Sequence, residues 1–487
     1  MNDQRSCEGG HETHAFGSFG GTVREGLCFS SRRNMMKASL SGIAGLSLPQ
    51  LLKQRATAST SSGVVKPNQS VILLWMTGGP SHIDMWDMKP DRPSDNRGPF
   101  SPVATAIPGE FICEHLPLQA AMLDKFSIIR SVDCRHSSHE PNMVMQTGHR
   151  EAAPRVNPRG DQYPAIGSVI AKHRGSNHAS VPPYIAFERS RSHIAYAGYL
   201  GREHNPFNAN QAASLPVYDL VGKDSGKRSN PKMFRMPRDL SFERVQQRLG
   251  LLRELDHMRR ELDHSGMMNA MDSYQQQAMD MLTGGRVQKA LNLDLEPSAI
   301  RDRYGDHLWC QQALLARRLV EAGTAFVTID LSYHTASGTW DNHGDNIPPY
   351  GGISKGLRPL LPLFDHLITT LVSDLEQRGM LDEVLVIAMG EFGRTPQLGT
   401  QGSTDGRNHW PHVMSMCLAG GGMRHGQIIG STDADGGAIK TRPVTPGDLA
   451  ATIYRHMGVP MDLTYEDDRG RPLFAVQENG KPISELI

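Results

Sequence analysis

The chain has 487 residues, with 51 basic and 51 acidic residues and therefore no net charge at neutral pH. Nucleic-acid binding needs a surface that neutralises phosphates, and a balanced chain without lysine or arginine runs lacks one, so we expect no nucleic-acid partner. With 38% hydrophobic residues, the chain can bury a large core in one α/β domain or two smaller ones.

The first predicted element is an export signal. Arg32 and Arg33 precede a mildly apolar run over residues 38–52, and the small residues Ala56 and Ala58 follow. This order is typical of a twin-arginine signal peptide, although a chance arginine pair before a buried helix is the alternative. We predict a signal peptide over residues 1–58, a linker over 59–70, the twin-arginine translocation machinery as a partner, and a periplasmic or extracellular location.

No apolar run beyond the signal approaches the length of a membrane span, so we predict none in the mature chain. Four cysteines follow the signal, at wide and irregular spacing that matches neither a zinc knuckle nor a disulfide scaffold. We expect core thiols with at most one disulfide. These cysteines are Cys113, Cys134, Cys310 and Cys417.

Six short apolar runs end in polar or glycine-rich loops. Each is too short for a helix and rich in Val, Ile, Leu or Met, which favours strands buried on both faces of a parallel sheet. The predicted strands cover residues 71–76, 126–129, 184–187, 325–329, 384–389 and 413–418.

Helical patterns alternate with these strands. Residues 309–322 have apolar positions at helical spacing and end at Gly323, and residues 356–377 have the same pattern before the next strand. Residues 238–292 are charged, rich in methionine and predicted to be an inserted group of helices without chemistry of its own. The alternation predicts a single α/β domain over residues 71–480.

Polar clusters follow the predicted strands, at the edge where open parallel sheets bind ligands. Mixed carboxylate and imidazole ligands suit Zn²⁺, Mn²⁺ or a related divalent ion, so the recurrence predicts a metal site, although each histidine alone is more often an ordinary hydrogen-bonded loop residue. The clusters contain Asp84 and Asp87; His136, Ser138 and His139; Asp330, His334, Asp341 and His343; Glu391 and Arg394; and His409 and His412.

Four motifs resemble the domain-of-unknown-function family 1501, a family within the alkaline phosphatase and sulfatase superfamily. The motifs lie at residues 78–90, 340–343, 390–396 and 406–409, and the resemblance extends over about residues 71–472. It implies an α/β fold of the alkaline phosphatase/sulfatase type: a mostly parallel central sheet, flanked by helices, with divalent metal at its rim.

The resemblance also implies metal ligands. The aspartate after the first strand corresponds to Asp84, with Asp87 as the neighbouring option, and a later pair corresponds to Asp341 and His343, with Asp330 and His334 as the alternative. The final histidine corresponds to His409 better than to His412. Glu391 retains one ligand of a second pair, whereas Phe392 replaces the other. We therefore expect one ion, or a second ion at a weakened site, and leave open whether the metal is Zn, Mn, Ca or Mg.

Alignment on Thr147-Gly148 places Ser138 at the nucleophile position of sulfatases. Glu140 and Asn142 replace the proline and arginine that formylglycine formation requires, so we expect a serine alkoxide activated by metal. His139 and His136 are candidate proton donors to the leaving group, and Arg394 is a candidate clamp for anionic ester oxygens. Structural alternatives are that Ser138 caps the following helix and that Arg394 pairs with Glu391.

Two functions fit these expectations. The first is an exported, metal-dependent hydrolase of sulfate or phosphate esters, whose anionic substrate could be a sulfated polysaccharide by superfamily analogy. The second is an exported binding protein that keeps the fold and performs no chemistry. The eroded sulfatase signature and Phe392 favour the second, and the dense polar rim favours the first.

Overall fold

The computed structural model describes residues 22–23, 26–27, 68–139, 143–231, 285–344, 351–399 and 402–487. The chain divides into two units, Met1–Val65 and Lys66–Ile487. In the first unit, Thr22–Val23 pairs with Gly26–Leu27 as a short antiparallel hairpin. Apart from this hairpin, the predicted export signal lies outside the described residues, and so does most of the predicted helical insertion.

The second unit is built on a sheet of eight strands. All the predicted strands belong to it, with bounds within two or three residues of those expected. In chain order they are β1 (Ser70–Trp75), β2 (Phe126–Val132), β3 (Tyr184–Phe187), β4 (Phe207–Asn208), β5 (Phe326–Asp330), β6 (Val384–Met389), β7 (Met414–Gly420) and β8 (Gln427–Ile429).

The order across the sheet is β8-β2-β7-β6-β1-β5-β3-β4. Strand β1 pairs in parallel with β5 on one side and β6 on the other, and β3 and β4 extend the parallel set. This confirms the predicted α/β class with a mostly parallel sheet. Strand β7 differs from the prediction, because it runs antiparallel to both β6 and β2. A parallel return needs a long crossover, usually a helix, and the described residues between β6 and β7 contain none.

Helices cover both faces of the sheet. The α-helices are α1 (Ser94–Arg97), α2 (Pro117–Ala121), α3 (Val144–Thr147), α4 (Ile166–His173), α5 (Arg286–Leu291), α6 (Ser298–Tyr304), α7 (Leu308–Ala322), α8 (Arg358–Gln377) and α9 (Pro446–Met457). A π-helical turn, Ile353–Leu357, leads into α8. Short 3-10 helices occupy Leu123–Lys125, Gly160–Gln162, Gly198–Leu200, Arg202–His204, Ala209–Gln211, Leu293–Leu295 and Ser484–Leu486.

Alternate residues of β1 enter two separate cores. Ile72 and Leu74 pack with α7 and α8 on one face, whereas Val71 and Leu73 pack with α4 and α9 on the other. Successive side chains of a strand point to opposite faces, so an entirely apolar strand needs a helical layer on each side. The fold is therefore a three-layer α/β sandwich, and Gly323, in the left-handed conformation, ends α7 as predicted.

Among the described residues of the second unit, five two-stranded antiparallel ribbons lie outside the central sheet. They pair Pro102–Ala104 with Phe111–Cys113, Pro216–Tyr218 with Asp224–Arg228, Gly393–Arg394 with His409–Trp410, Ser431–Thr432 with Ile439–Thr441, and Thr464–Glu466 with Pro472–Phe474.

The four cysteines that follow the predicted signal are buried and form no disulfide. In the described part of the chain, no helix combines the length and apolar character needed to cross a bilayer.

The register brings the polar loops to one edge. Trp75, at the end of β1, is paired with Asp330 at the end of β5 and with Met389 at the end of β6. The antiparallel β7 begins at this same edge, because Met414 pairs with Val132 at the end of β2. Loops after β1, β2, β5 and β6 and the segment before β7 therefore meet.

Candidate metal centre

Three histidines and one aspartate converge where the parallel strands end. One potential ligand atom of each lies within 4.8 Å of the others, and we call the four residues the His-Asp cluster: His139, Asp341, His343 and His409. The Nε2 atoms of His139 and His409 are 2.8 Å apart. The Asp341 carboxylate lies 3.3 Å from Nε2 of His139 and 3.4 Å from that of His409. Its distance to Nε2 of His343 is 3.0 Å.

Each member comes from a loop that the sheet positions. His139 follows β2, whereas Asp341 and His343 follow β5. His409 belongs to a ribbon in which it pairs with Arg394, so the loop after β6 fixes its backbone. The cluster is thus assembled from three segments that are far apart in the sequence and meet only through the sheet.

The glycine turn after β1 lets these loops approach one another. Gly78 and Gly79 have φ values of 122° and 74°, in the region that favours glycine. A Cβ atom on Gly78 would lie 2.3 Å from the backbone nitrogen of Asp341. The Gly78 backbone N–H donates to Glu391 at 2.9 Å. The turn therefore supplies no metal ligand, but it allows the backbone of the Asp341 loop to lie directly against it.

Asp341 is the electrostatic centre of the cluster. Its side chain is 2% exposed and accepts hydrogen bonds from Arg394 at 2.5 Å and from the Ser337 hydroxyl at 2.6 Å. Burial alone would raise the pKa of Asp341, but the Arg394 guanidinium and hydrogen bonds from the surrounding histidines hold that pKa well below its usual range. The carboxylate is therefore ionised at all ordinary pH values.

Glu391 orients His139 from outside the cluster. Its Oε1 atom lies 2.7 Å from Nδ1 of His139. Burial alone would lower the pKa of His139, but its hydrogen bonds to Asp341 and Glu391 raise it. A carboxylate on one imidazole nitrogen leaves the other free to bind metal, which is the usual arrangement around protein-bound zinc. Glu391, which the sequence predicted as a metal ligand, here orients the ligand candidate His139.

His409 forms the open side of the cluster. Its side chain is 35% exposed, against 7% for His139. The Phe392 ring packs on both imidazoles, with centroids 4.8 Å from His139 and 4.7 Å from His409. Burial lowers the pKa of His409 to about 3, so its imidazole is neutral and able to bind metal at physiological pH.

The donor set fits a divalent transition metal. Ligands about 2.0–2.1 Å from a tetrahedral ion are separated by about 3.3 Å. Oδ1 of Asp341 lies 3.0 Å from His343 and 3.4 Å from His409, its Oδ2 lies 3.3 Å from His139, and the His139 and His409 nitrogens are 2.8 Å apart, all near this value. Three imidazoles and one carboxylate suit zinc and its neighbours, whereas calcium and magnesium prefer oxygen ligands. His139, Asp341, His343 and His409 could therefore hold such an ion.

Asp84 and Asp87 lie in other interactions. Both carboxylate oxygens of the fully buried Asp84 are bound by Arg407, at 2.6 and 3.2 Å, and Ser81 donates a further hydrogen bond. Asp87 is bound by Lys89 at 2.9 Å. Neither aspartate belongs to the cluster. The charge of Asp84 is neutralised by Arg407 and that of Asp87 by Lys89.

Arg394 is buried and supports the backbone of the site. Besides the Asp341 carboxylate, it donates to the carbonyl oxygens of Gly78, Gly79 and Arg407. All its guanidinium nitrogens are engaged, so Arg394 stabilises the loops instead of offering a clamp for ester oxygens. It is not paired with Glu391.

The remaining predicted residues lie beside the cluster. Ser138 is partly exposed and directly precedes the ligand candidate His139. His136 is exposed and has a positive φ of 72°. His412 packs on Trp410, with centroids 4.8 Å apart, and does not join the four-residue group.

A second histidine and aspartate pair was partly missed by sequence reasoning. Nδ1 of His193 lies 2.9 Å from Asp330, and both side chains are fully buried. His334, the sequence alternative to His343, lies in the same loop as Asp341, and burial lowers its pKa to about 4. Ser337 was also missed. His193 follows the predicted strand 184–187, and that position was the available signal.

Comparison with known proteins identifies a family. The family model described as "Protein of unknown function (DUF1501)" matches residues 68–487. No curated protein matches the sequence.

Solved structures resemble the chain distantly. The PsFucS1 sulfatase from Pseudoalteromonas sp. aligns at 14% identity and a TM-score of 0.36, over 89% of this chain and 73% of that one. Ps i-CgsB in complex with k-i-k-neocarrahexaose aligns at 11% identity and 0.30, over 80% and 72%. The phosphonate monoester hydrolase SpPMH from Silicibacter pomeroyi aligns at 11% and 0.31, over 86% and 76%. At similarities this low, no activity or residue role is transferred to the present chain.

Proposed function

The chain belongs to the DUF1501 family, as its four motifs predicted, and we propose that it is an exported, metal-dependent hydrolase of sulfate or phosphate esters. The observation that carries the proposal is the convergence of three imidazoles on one buried carboxylate, with Glu391 behind His139. Such a cluster at the ligand-binding edge of an α/β sheet is the arrangement that metal hydrolases need.

Zinc is the ion that the donor set favours, with manganese as the second choice. His139, Asp341, His343 and His409 would hold it, and Glu391 would keep the His139 ring in the binding orientation. When bound, a divalent ion supplies Lewis-acid polarisation of an ester oxygen and stabilises developing negative charge. The proposal keeps the single ion expected from the sequence and prefers zinc or manganese to calcium or magnesium.

Charge supports an anionic substrate. Asp341 and Glu391 carry formal negative charges and Arg394 carries one positive charge, so a divalent ion makes the centre positive by one charge. His409 is the most exposed member of the cluster, so we expect an anionic ligand to approach from its side. A sulfated or phosphorylated glycan meets these requirements, and sulfated polysaccharide is the substrate class that we propose.

Two hydroxyl groups are candidates for the nucleophile. Ser138 precedes His139, whereas the Ser337 hydroxyl donates to Asp341 at 2.6 Å. His136, exposed at the rim, is a candidate to transfer a proton to or from the leaving group. We keep Ser138 as the first candidate because its alignment on Thr147-Gly148 supports it.

The experiment is a metal and ester screen of the mature protein. We expect about one zinc or manganese per chain by plasma mass spectrometry, and hydrolysis of an aryl phosphate or aryl sulfate that a chelator abolishes. Ser138→Ala should remove the activity while Ser337→Ala weakens metal binding, and Ser168→Ala in α4 serves as the control. A metal-loaded protein that is inert on both ester classes would contradict the hydrolase.

A binding protein without chemistry is the second candidate. The observation that favours it is the complete engagement of Arg394 with Asp341 and backbone carbonyls, which leaves this arginine unable to hold an ester. In that case sulfated polysaccharide should bind to the metal-loaded protein with an affinity that Ser138→Ala does not change, and no ester should be hydrolysed.

Export is part of the proposal. Replacing Arg32 and Arg33 together by lysine should retain the full-length precursor inside the cell, whereas the unaltered chain should appear, shortened near residue 58, in the periplasmic or extracellular fraction. A shortened product exported equally well after both substitutions would contradict the twin-arginine route.

A further inference from the structure

A buried bridge lies next to the His-Asp cluster. Nδ1 of His193 is 2.9 Å from the Asp330 carboxylate, and Nε2 of the same ring is hydrogen-bonded to the backbone carbonyl of Ala336. Both partners are acceptors, and neutral imidazole has only one N–H group. The ring satisfies both bonds only as an imidazolium.

The other contacts of Asp330 strengthen this bridge. The Thr77 hydroxyl donates to one carboxylate oxygen at 2.5 Å, and the Arg189 backbone N–H donates to the other at 2.9 Å. Burial alone would lower the pKa of His193, but the Asp330 carboxylate and then the hydrogen bond to the Ala336 carbonyl, with a smaller effect of Glu391, raise it to about 8. The neighbouring His334 titrates at about 4 and is neutral when His193 is charged.

Ala336 belongs to the loop that carries two members of the cluster. It directly precedes Ser337, whose hydroxyl binds Asp341, and His343 follows in the same loop. The Trp340 backbone N–H donates to the Thr77 carbonyl at 3.0 Å, which ties the later part of the loop to the turn after β1. His193 therefore holds the early part of the loop and Thr77 the later part.

The backbone of His193 reaches the loop that carries His139. The Gln146 side chain donates to the His193 carbonyl at 2.7 Å and accepts from the Ala195 backbone N–H at 3.0 Å. Gln146 lies in α3, the short helix after His139. The segment around His193 thus connects two loops that supply different members of the cluster.

We propose that His193 is a positioning residue of the candidate metal centre: its ring is hydrogen-bonded to Asp330 and to the Ala336 carbonyl together and so fixes the loop that carries Asp341 and His343. The proposal rests on the proposed metal centre for its functional meaning, but the bridge itself can be tested without metal. The two acceptors are bound by different ring nitrogens, whereas a glutamine amide carries both of its N–H groups on one nitrogen and cannot reach both acceptors.

The test compares His193→Gln with His456→Gln. His456 is the matched control, because it is also buried and bonded to a backbone carbonyl, that of Ser70, at the opposite end of β1. Amide hydrogen exchange of the metal-free proteins, read over residues 331–344, should become about tenfold or more faster in His193→Gln and remain unchanged in His456→Gln. Equal exchange in wild type and His193→Gln would overturn the bridge.

Metal binding provides the second measurement. His193→Gln should bind zinc about tenfold or more weakly and alter the visible spectrum of the cobalt-substituted protein, as loss of an outer support does. If the wild type binds no metal but the exchange difference persists, the metal centre fails and the bridge stands. If His193→Gln binds metal like the wild type, His193 is not a positioning residue of the centre.

Asp330→Asn is the alternative variant should His193→Gln not fold. It preserves the shape of the partner but replaces one acceptor oxygen by an NH₂ group, so Thr77, Arg189 and His193 can no longer all donate to residue 330 and the bridge should weaken. Metal-free Asp330→Asn should show the same faster exchange over residues 331–344. Exchange like that of the wild type would overturn the proposal.

Discussion

The Oε1 atom of Glu391 lies 2.7 Å from Nδ1 of His139, and this contact turns the opposite nitrogen of the ring toward Asp341. The Gly78 backbone N–H binds the same glutamate. The turn after β1, the end of β6 and the loop after β2 are therefore joined through one carboxylate, and the orientation of a ligand candidate depends on all three.

Replacement of Glu391 by glutamine should weaken metal binding without unfolding the chain. The amide is a poorer hydrogen-bond acceptor than the carboxylate and no longer supports the charge of the ligand, so the affinity for zinc should fall about 10–100-fold. Competition with a chelating dye measures this. Glu383→Gln, at the other end of β6, is the control, and equal affinities in the two variants would contradict the role of Glu391.

Matched substitutions of Asp341 and Asp84 should affect stability alike but metal binding differently. Each is a buried carboxylate bound to a buried arginine, Arg394 and Arg407 respectively, so Asp341→Asn and Asp84→Asn should each lower the free energy of unfolding by about 3–5 kcal/mol. Only Asp341→Asn should lose the metal. Urea unfolding and elemental analysis measure the two effects, and loss of metal in Asp84→Asn would restore the ligand role predicted from the sequence.

His409 and His412 provide a second pair. His409 lies within the cluster, whereas His412 packs on Trp410. Removing a direct ligand should cost at least as much as removing an outer support, so His409→Ala should bind zinc at least about 10–100-fold more weakly, and His412→Ala should bind like the wild type. Isothermal titration of the metal-free proteins distinguishes them, and the reverse result would exclude the cluster as the binding site.

Stability of the metal-free protein should depend on pH through His193. Its pKa is about 8 in the folded chain and near 6.5 in the unfolded chain, so the folded state holds the proton more tightly. The stabilisation is complete below pH 6.5 and is lost as the pH rises through 8, with a total of about 2 kcal/mol.

Denaturant unfolding of the metal-free protein at several pH values between 6 and 9 provides the measurement. Because other histidines titrate as well, the quantity to follow is the difference between wild type and His193→Gln, which should shrink over this interval. A difference that stays constant would mean that His193 is neutral in the folded protein.

The sequence by itself determined the layered fold and most of the edge at which the site lies. Runs of Val, Ile and Leu such as residues 71–76 are too short for helices and too apolar for a half-exposed sheet, so they predict buried parallel strands. Residues 309–322 and Gly323 likewise mark a helix and its end. The polar clusters at strand ends predicted this edge, and the resemblance to the family implied Asp341, His343 and His409 as ligands there.

Only the tertiary structure decided which side chains pair. Asp84 has the position of a ligand in the sequence, yet Arg407 neutralises it, and Glu391 binds His139 at a separation of 252 residues. His193 gave no local signal of its bridge to Asp330. Local periodicity reports which face of an element is buried, whereas the choice between a metal ion, an arginine and a histidine as the partner of a carboxylate depends on distances that form only when the sheet brings distant loops together.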